Sequence, residues 1–228
     1  MITPRTNLKT VIFDLDGTLI DTEPSAAQAV SRCFKNWGIE VDPADASYVT
    51  GRTWESAFEF LFQKYKIPVS PAEASHRVLE AYRDALNDHL ILVPGGAEAV
   101  RALSREFRLG LVSGSHRSEI FWALDKLGVR ENFEVVYGAE DYPRSKPAPD
   151  GYLKAIQALE FKPAECVVFE DSSAGVQSAL DAGAWVVAIT ATNHFNQNLA
   201  LAHHHIPDLR EVTPDWLRQI SSKFLRSS

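Results

Sequence analysis

Cysteine is scarce in this chain: 228 residues hold two, Cys33 and Cys166, at no paired spacing. So few thiols exclude a disulfide framework and a thiolate metal cluster, and both are expected to be buried as small apolar side chains. Basic runs are missing as well. The formal net charge is −7, and no stretch concentrates lysine or arginine. Nucleic acid and anionic membrane therefore lack the positive face that each needs. A small anionic ligand stays compatible, because a few local cations can hold it on an acidic protein. The longest apolar runs are strand-sized, with neither a membrane-spanning stretch nor a signal-peptide core, so the cytoplasm is the expected location. There is no low-complexity tract and no internal repeat. With 45% hydrophobic and 23% charged residues, the chain has the make-up of a globular protein large enough for one domain plus an insertion.

Against that background the order of elements is informative. Val11-Ile12-Phe13 reads as a buried strand running into the polar loop Asp14-Leu15-Asp16-Gly17-Thr18. The pattern then turns helical. Pro24 suits a first helical turn, an apolar stripe follows through Ala29, Val30, Phe34 and Trp37, and Gly38 ends it. Further helices are expected over 53–65 and from Ser70-Pro71 onward, until Pro94-Gly95-Gly96 breaks the pattern. Beyond it helices and strands alternate: helix 97–106 and strand 109–112, helix 118–127 and strand 135–137. Helix 151–159 precedes strand 167–169, and helix 174–182 precedes strand 186–189. Such alternation predicts an α/β fold, a Rossmann-like parallel sheet with helices on both faces. The helical stretch that interrupts it predicts an inserted helical-bundle cap over 22–92, with 1–21 and 93–228 forming the core.

In a parallel sheet of this kind ligands bind beyond the carboxyl ends of the strands. Those ends carry Asp14 and Asp16 after the first strand and Ser113-Gly114-Ser115 after the second. Lys146 lies in a proline-flanked loop, and Glu170-Asp171 follow with Ser172-Ser173 behind them. Several carboxylates on one rim repel unless a cation joins them, and hard oxygen donors select magnesium. A carboxylate can also act as nucleophile and split phosphate-ester hydrolysis into two easier steps. The charge spread over a transferring phosphoryl group calls for a metal, a lysine and hydroxyl or backbone donors.

Asp14-Leu15-Asp16-Gly17-Thr18, Ser113, Lys146-Pro147 and Glu170-Asp171-Ser172 resemble, in order, the four motifs of the haloacid dehalogenase superfamily. The likeness is closest to members with a helical cap after the first motif, the β-phosphoglucomutase-like and sugar-phosphate phosphatase group. It implies a magnesium-dependent phosphatase acting on a small phosphorylated metabolite through an aspartyl phosphate. It further implies roles: Asp14 as nucleophile, Asp16 as acid and base with Thr18 orienting it, and Ser113, the Gly114 amide and Lys146 on the phosphoryl oxygens. Asp14, Asp16 through its carbonyl, Glu170 and Asp171 would hold the magnesium ion. Arg52 and Thr53 in the cap, with His116 and Arg117 after the serine motif, are candidate substrate-binding residues, the alternative being that they are solvated or only decorate a helix start.

Asp16 argues against a dehalogenase, which needs no acid for its leaving group. The runner-up is a β-phosphoglucomutase-type mutase. Members of that kind carry a histidine ten residues after the acid–base aspartate, where this chain has Ala26, and a cap arginine where it has Trp54, so hydrolysis is favoured. A non-catalytic protein of the same fold would have lost one of Asp14, Asp16, Lys146 or Asp171, and none is lost. His203-His204-His205 has no acidic or cysteine partner at ligand spacing and reads as an exposed loop or sheet edge. The tryptophans are expected to pack in the interior, and a monomer is expected.

Overall fold

Thr10–Phe13, every residue buried, form β1, the strand about which the sheet is arranged. The computed structural model of the chain describes residues 8–48, 54–194 and 196–224. After β1 come a short strand β2 (Ile20–Asp21) and helices α1 (Glu23–Asn36), α2 (Pro43–Ala46), α3 (Trp54–Lys64) and α4 (Pro71–Asp88). Strand β3 (Ile91–Leu92) and α5 (Gly96–Leu103) follow, then β4 (Arg108–Val112), α6 (Arg117–Leu127) and β5 (Val135–Tyr137). The chain continues through α7 (Asp150–Ala158), β6 (Cys166–Glu170), α8 (Ser173–Asp181), β7 (Trp185–Ile189), β8 (His204–Ile206) and α9 (Pro214–Phe224). It divides into two compact units, Met1–Ile20 with Leu92–Ser228, and Asp21–Ile91.

The first unit is built on a six-stranded sheet in the order β5-β4-β1-β6-β7-β8, with every recorded pairing parallel. Parallel strands buried on both faces need apolar side chains at every position rather than at alternate ones. That is why β6 and β7 are continuous buried runs, Cys166–Glu170 and Trp185–Ile189. On one face Ile12, Val112, Val168 and Val186 pack against Tyr152 and Ile156 of α7 and Val176 of α8. The residues between them, Val11, Phe13, Leu111 and Phe169, are just as buried on the other. Register places Phe13 beside Phe169, and their rings stack with centroids 5.1 Å apart.

The second unit is helical. Ser70 caps α4, its hydroxyl accepting from the Glu73 N–H at 3.2 Å, with Pro71 in the first turn. Ala29, Val30 and Phe34 of α1 close on Leu61 of α3 and Val78 of α4, the apolar stripe of a bundle helix. Trp54, Phe58 and Phe62 stack in succession along α3.

Most elements lie within a residue or two of their sequence-predicted positions, though α5 stops at Leu103, short of 106. The short strands β2 and β3, the one-turn α2 and helix α9 have no counterpart in the expectations. The histidine run, expected as an exposed loop or sheet edge, supplies the edge strand β8. His203 receives the Val186 N–H on Nδ1 at 3.0 Å, and His204 lies against Trp216. Cys33 and Cys166 are free and buried. Among the described residues, no helix is long and apolar enough to cross a membrane.

Candidate active site

Connections leave β1 and β6 in opposite directions. β1 leads through the chain to β4 on one side, while β6 leads to β7 on the other, although β1 and β6 are hydrogen-bonded neighbours. Between such strands the crossing segments part, and a crevice opens at the carboxyl ends. Asp14 is the first residue past β1, and its N–H donates to the Phe169 carbonyl at 3.0 Å, extending the ladder by one step. Glu170 ends β6 and Asp171 follows it. The topology therefore delivers three buried acidic residues to the mouth of one crevice.

Lys146, preceding a cis peptide bond to Pro147, reaches into this cluster from the loop after β5. Its Nζ lies 2.5 Å from Asp14 Oδ1, 2.5 Å from Glu170 Oε1 and 3.4 Å from the Val112 carbonyl, so each ammonium proton has an acceptor. The Tyr152 ring stands 5.2 Å from the same nitrogen. One cation thus serves two buried carboxylates, and the two fare differently. Burial would push Glu170 upward, but Lys146 and the donors around it hold its carboxyl below the usual range. Asp14 is driven well above that range by burial, with Glu170 and Asp16 adding to it against the pull of Lys146. Burial also disfavours the Lys146 charge, yet Asp14 and Glu170 outweigh it and raise the ammonium well above its ordinary value.

Glu170 owes this to its donors. Oε1 accepts from Lys146 and from the Tyr152 hydroxyl at 2.7 Å, while Oε2 accepts from the N–H groups of Asp171 and Ser172 and from the Ser172 hydroxyl. Ser172 in turn caps α8 by accepting from Gly175 N–H. No room is left beside the carboxylate: a β-carbon on Gly175 would lie 1.8 Å from Oε1.

Asp16 sits in a tight loop. The Leu15 carbonyl accepts from the N–H groups of Thr18, Leu19 and Ile20, and Gly17 N–H donates to Ile20 O at 2.6 Å. Gly17 adopts a left-handed φ of +84°, and a β-carbon there would come within 2.0 Å of Asp171 Oδ2. The Thr192 hydroxyl, arriving after β7, donates to Gly17 O at 2.6 Å. With its backbone so fixed, Asp16 presents Oδ2 to two hydroxyls, Ser113 at 3.1 Å and Ser115 at 2.7 Å.

A sequence profile of the haloacid dehalogenase-like hydrolases matches residues 11–189, which takes in the carboxylates, Lys146 and both serines of the site. The chain belongs to this family. Validoxylamine A 7'-phosphate phosphatase of Streptomyces hygroscopicus is 34% identical over 210 residues, covering 90% of the chain and 95% of the relative. Fructose-1-phosphate phosphatase of Escherichia coli is 30% identical over 174 residues, 76% of the chain and 92% of the relative. Among solved structures, β-phosphoglucomutase from Clostridium difficile shares the fold with a TM-score of 0.77, covering 96% of this chain and 99% of that one, at 22% identity.

For this haloacid dehalogenase-like chain, then, the structure brings Asp14, Asp16, Ser113, Lys146, Glu170 and Asp171 together, and it treats the other candidates differently. Thr18, expected to orient Asp16, donates its hydroxyl to Asp171 Oδ1 at 3.4 Å. Gly114 is exposed, and a β-carbon there would meet nothing within 4 Å. His116 and Arg117 begin α6. Arg117 is engaged by Asp141, and its N–H donates to Glu140 at 3.0 Å. Glu140 also lies 3.5 Å from His116 Nδ1. Arg52 and Thr53 lie outside the described residues.

The sequence reading assigned no role to Ser115, Tyr142, Tyr152 or Thr192. Ser115 stood inside the serine motif and was the easiest to find. Tyr142, whose hydroxyl bonds the Ser113 carbonyl at 2.7 Å, is too remote in sequence to signal that contact. Burial pushes the Tyr142 phenol up to about 12, so it acts as a donor.

The donor set suits the magnesium ion that the family resemblance implies. Asp14, Glu170 and Asp171 are buried, and each offers a carboxylate oxygen, all within 4.8 Å of one another. Asp14 and Glu170 already share the ammonium of Lys146, and a third buried carboxylate beside them adds like charge that burial penalises unless a further cation joins it. All the donors are hard oxygens.

Proposed function

We propose that this protein is a magnesium-dependent phosphatase that hydrolyses a small sugar or polyol phosphate through a phosphorylated Asp14. The observation that carries the reading is Asp14 itself. It is a buried carboxylate at the switch point of the sheet, with Lys146 on one oxygen and Asp16 two residues away. The 34% and 30% identical relatives are both phosphatases by name.

Asp14 attacks phosphorus, the phosphorus–ester oxygen bond breaks, and Asp16 supplies the proton to the departing alkoxide. Asp16, now ionised, takes a proton from water. The water oxygen bonds to phosphorus as the aspartyl–phosphorus bond breaks, releasing phosphate and restoring both carboxyls. Lys146 neutralises charge on the phosphoryl oxygens, joined by the Ser113 hydroxyl and the Gly114 amide. Asp14, Asp171 and the Asp16 carbonyl would hold magnesium, with Glu170, whose oxygens already accept five hydrogen bonds, acting from behind them. The ion would favour the ionised form of Asp14 that attacks phosphorus and would draw charge from the phosphoryl group.

Hydrolysis is preferred to phosphoryl relocation on a sugar. Ala26, where β-phosphoglucomutases place a histidine, is packed against Ala57 and offers no group to gate water. The test is a panel of phosphorylated metabolites incubated with the purified protein and magnesium. Phosphate release from sugar or polyol phosphates is expected, and its loss in Asp14→Asn. Release from no ester, or undiminished release by Asp14→Asn, would overturn the reading.

A further inference from the structure

The serine pair at Asp16 assigns a role that neither the motif nor the cluster of carboxylates requires. The single Ser113 Oγ proton is committed in this state: it goes to Asp16 Oδ2, while the oxygen accepts the Ser115 N–H at 2.9 Å. Ser115 Oγ makes the shorter contact to the same oxygen, 2.7 Å against 3.1 Å. The proposed chemistry asks Ser113 to turn its single hydroxyl proton to a phosphoryl oxygen, and a hydroxyl cannot donate to both acceptors at once. Ser115 is the donor that can stay on Asp16 when Ser113 leaves it.

We infer that Ser115 is the positioning residue for Asp16, holding the carboxyl by Oδ2 so that Oδ1 is the oxygen that exchanges a proton with the leaving group and with water. This rests on the phosphatase reading above. The physical reason is conformational. Backbone bonds through Leu15 and Gly17, together with Thr192, fix the main chain of Asp16 but leave its two side-chain torsions. A carboxyl that rotates must be ordered at each turnover, whereas one already oriented keeps the reacting atoms near their productive geometry. Ser115 is well placed to do this, because its own carbonyl is held by Ala139 N–H at 3.0 Å and its N–H by Ser113. Replacing its side chain therefore leaves the backbone bonds intact.

The experiment measures single-turnover phosphorylation of Asp14 by a series of small aryl phosphates, from p-nitrophenyl through phenyl to 4-methoxyphenyl. These differ in how much the leaving oxygen needs a proton while offering the protein little to grip. Ser115→Ala is expected to lose no more than about threefold with p-nitrophenyl phosphate and on the order of tenfold or more with the poorest leaving group, with KM within about twofold. Ser115→Thr, which keeps the hydroxyl, should return the series to the wild-type slope. Thermal melts of both variants verify the fold. Equal losses across the series, or a rise in KM alone as from a direct substrate contact, would overturn the proposal, as would failure of Ser115→Thr to restore the slope if Ser115→Ala does not fold. Asp16→Asn is run alongside. If it too leaves the slope unchanged, or if the wild type transfers phosphate from none of these esters, the acid–base reading has failed. If Asp16→Asn steepens the slope and Ser115→Ala does not, only the role of Ser115 has failed.

Discussion

Tyr152 donates its hydroxyl to Glu170 Oε1 at 2.7 Å, and both side chains are shut off from solvent. The same oxygen accepts from Lys146, so the phenol helps set where the ammonium stands between Glu170 and Asp14. Tyr152→Phe removes one donor from a buried carboxylate with little change of shape. A loss of about 1–3 kcal/mol is expected, with a several-fold fall in kcat and little change in KM. Denaturant titration and steady-state phosphate release check the two parts. A fully stable variant would show that water replaces the phenol.

Among the described residues Lys146 is the one cation shared by Asp14 and Glu170, and Lys146→Met leaves both carboxylates buried without it. Breaking a buried pair from one side typically costs about 3–5 kcal/mol. That loss is expected in chelator-treated protein, with added magnesium recovering part of it, since a second cation would face the same oxygens. Phosphate release should be abolished with or without the ion. Stability equal to wild type in chelator would show that the carboxylates are protonated rather than paired.

Magnesium dependence should be visible without turnover. Adding the ion to chelator-treated wild type is expected to raise the melting temperature, as for any ligand that binds the folded state alone. Asp171→Asn should demand on the order of tenfold more magnesium for the same rise. An unchanged melting curve, with full activity in excess chelator, would assign the acidic cluster another purpose.

Within the helical unit, Asp45 supports a pH prediction. Lys64 donates to it at 2.8 Å and the Tyr65 hydroxyl donates to its other oxygen, and these bonds hold its carboxyl below the usual range. A group with a depressed folded-state pKa contributes stability above its unfolded value, about 3.9, and loses it as pH falls through the folded value. Asp45→Asn should therefore destabilise the protein at neutral pH, and the difference from wild type should shrink as the pH drops below 4. A difference constant with pH would mean that the pair is held by packing and not by charge.

Most of the sheet could be read from the sequence because strands buried on both faces cannot hide among polar residues. Val11-Ile12-Phe13 and 186–189 announce themselves, and the carboxylates that follow such runs inherit their position. Helix α9 was just as legible in principle: Thr213 before Pro214 is a start signal, and the Thr213 hydroxyl indeed accepts from Trp216 N–H at 3.1 Å. β8 was legible only as one of two alternatives, exposed loop or sheet edge, since three residues of an edge strand carry too little pattern to choose between them. Arg117 marks a different limit. Next to a serine motif a cation invites a substrate role, and its engagement with Asp141, 24 residues away, depends on how the loop after β5 turns back. Contacts of that kind belong to loop geometry, which composition does not encode.

Three glycines of the site live under opposite constraints. At Gly17 and Gly175 the space of a β-carbon is already filled by Asp171 and Glu170 oxygens, whereas at Gly114 it is open. In a library of random substitutions scored for folded protein, residues 17 and 175 should accept almost nothing, while 114 should drift freely. The crevice is thus held by exclusion as much as by attachment. The acidic side chains stand where they do partly because residues 17 and 175 carry no side chain, and a substitution at either would have to rebuild the site around it.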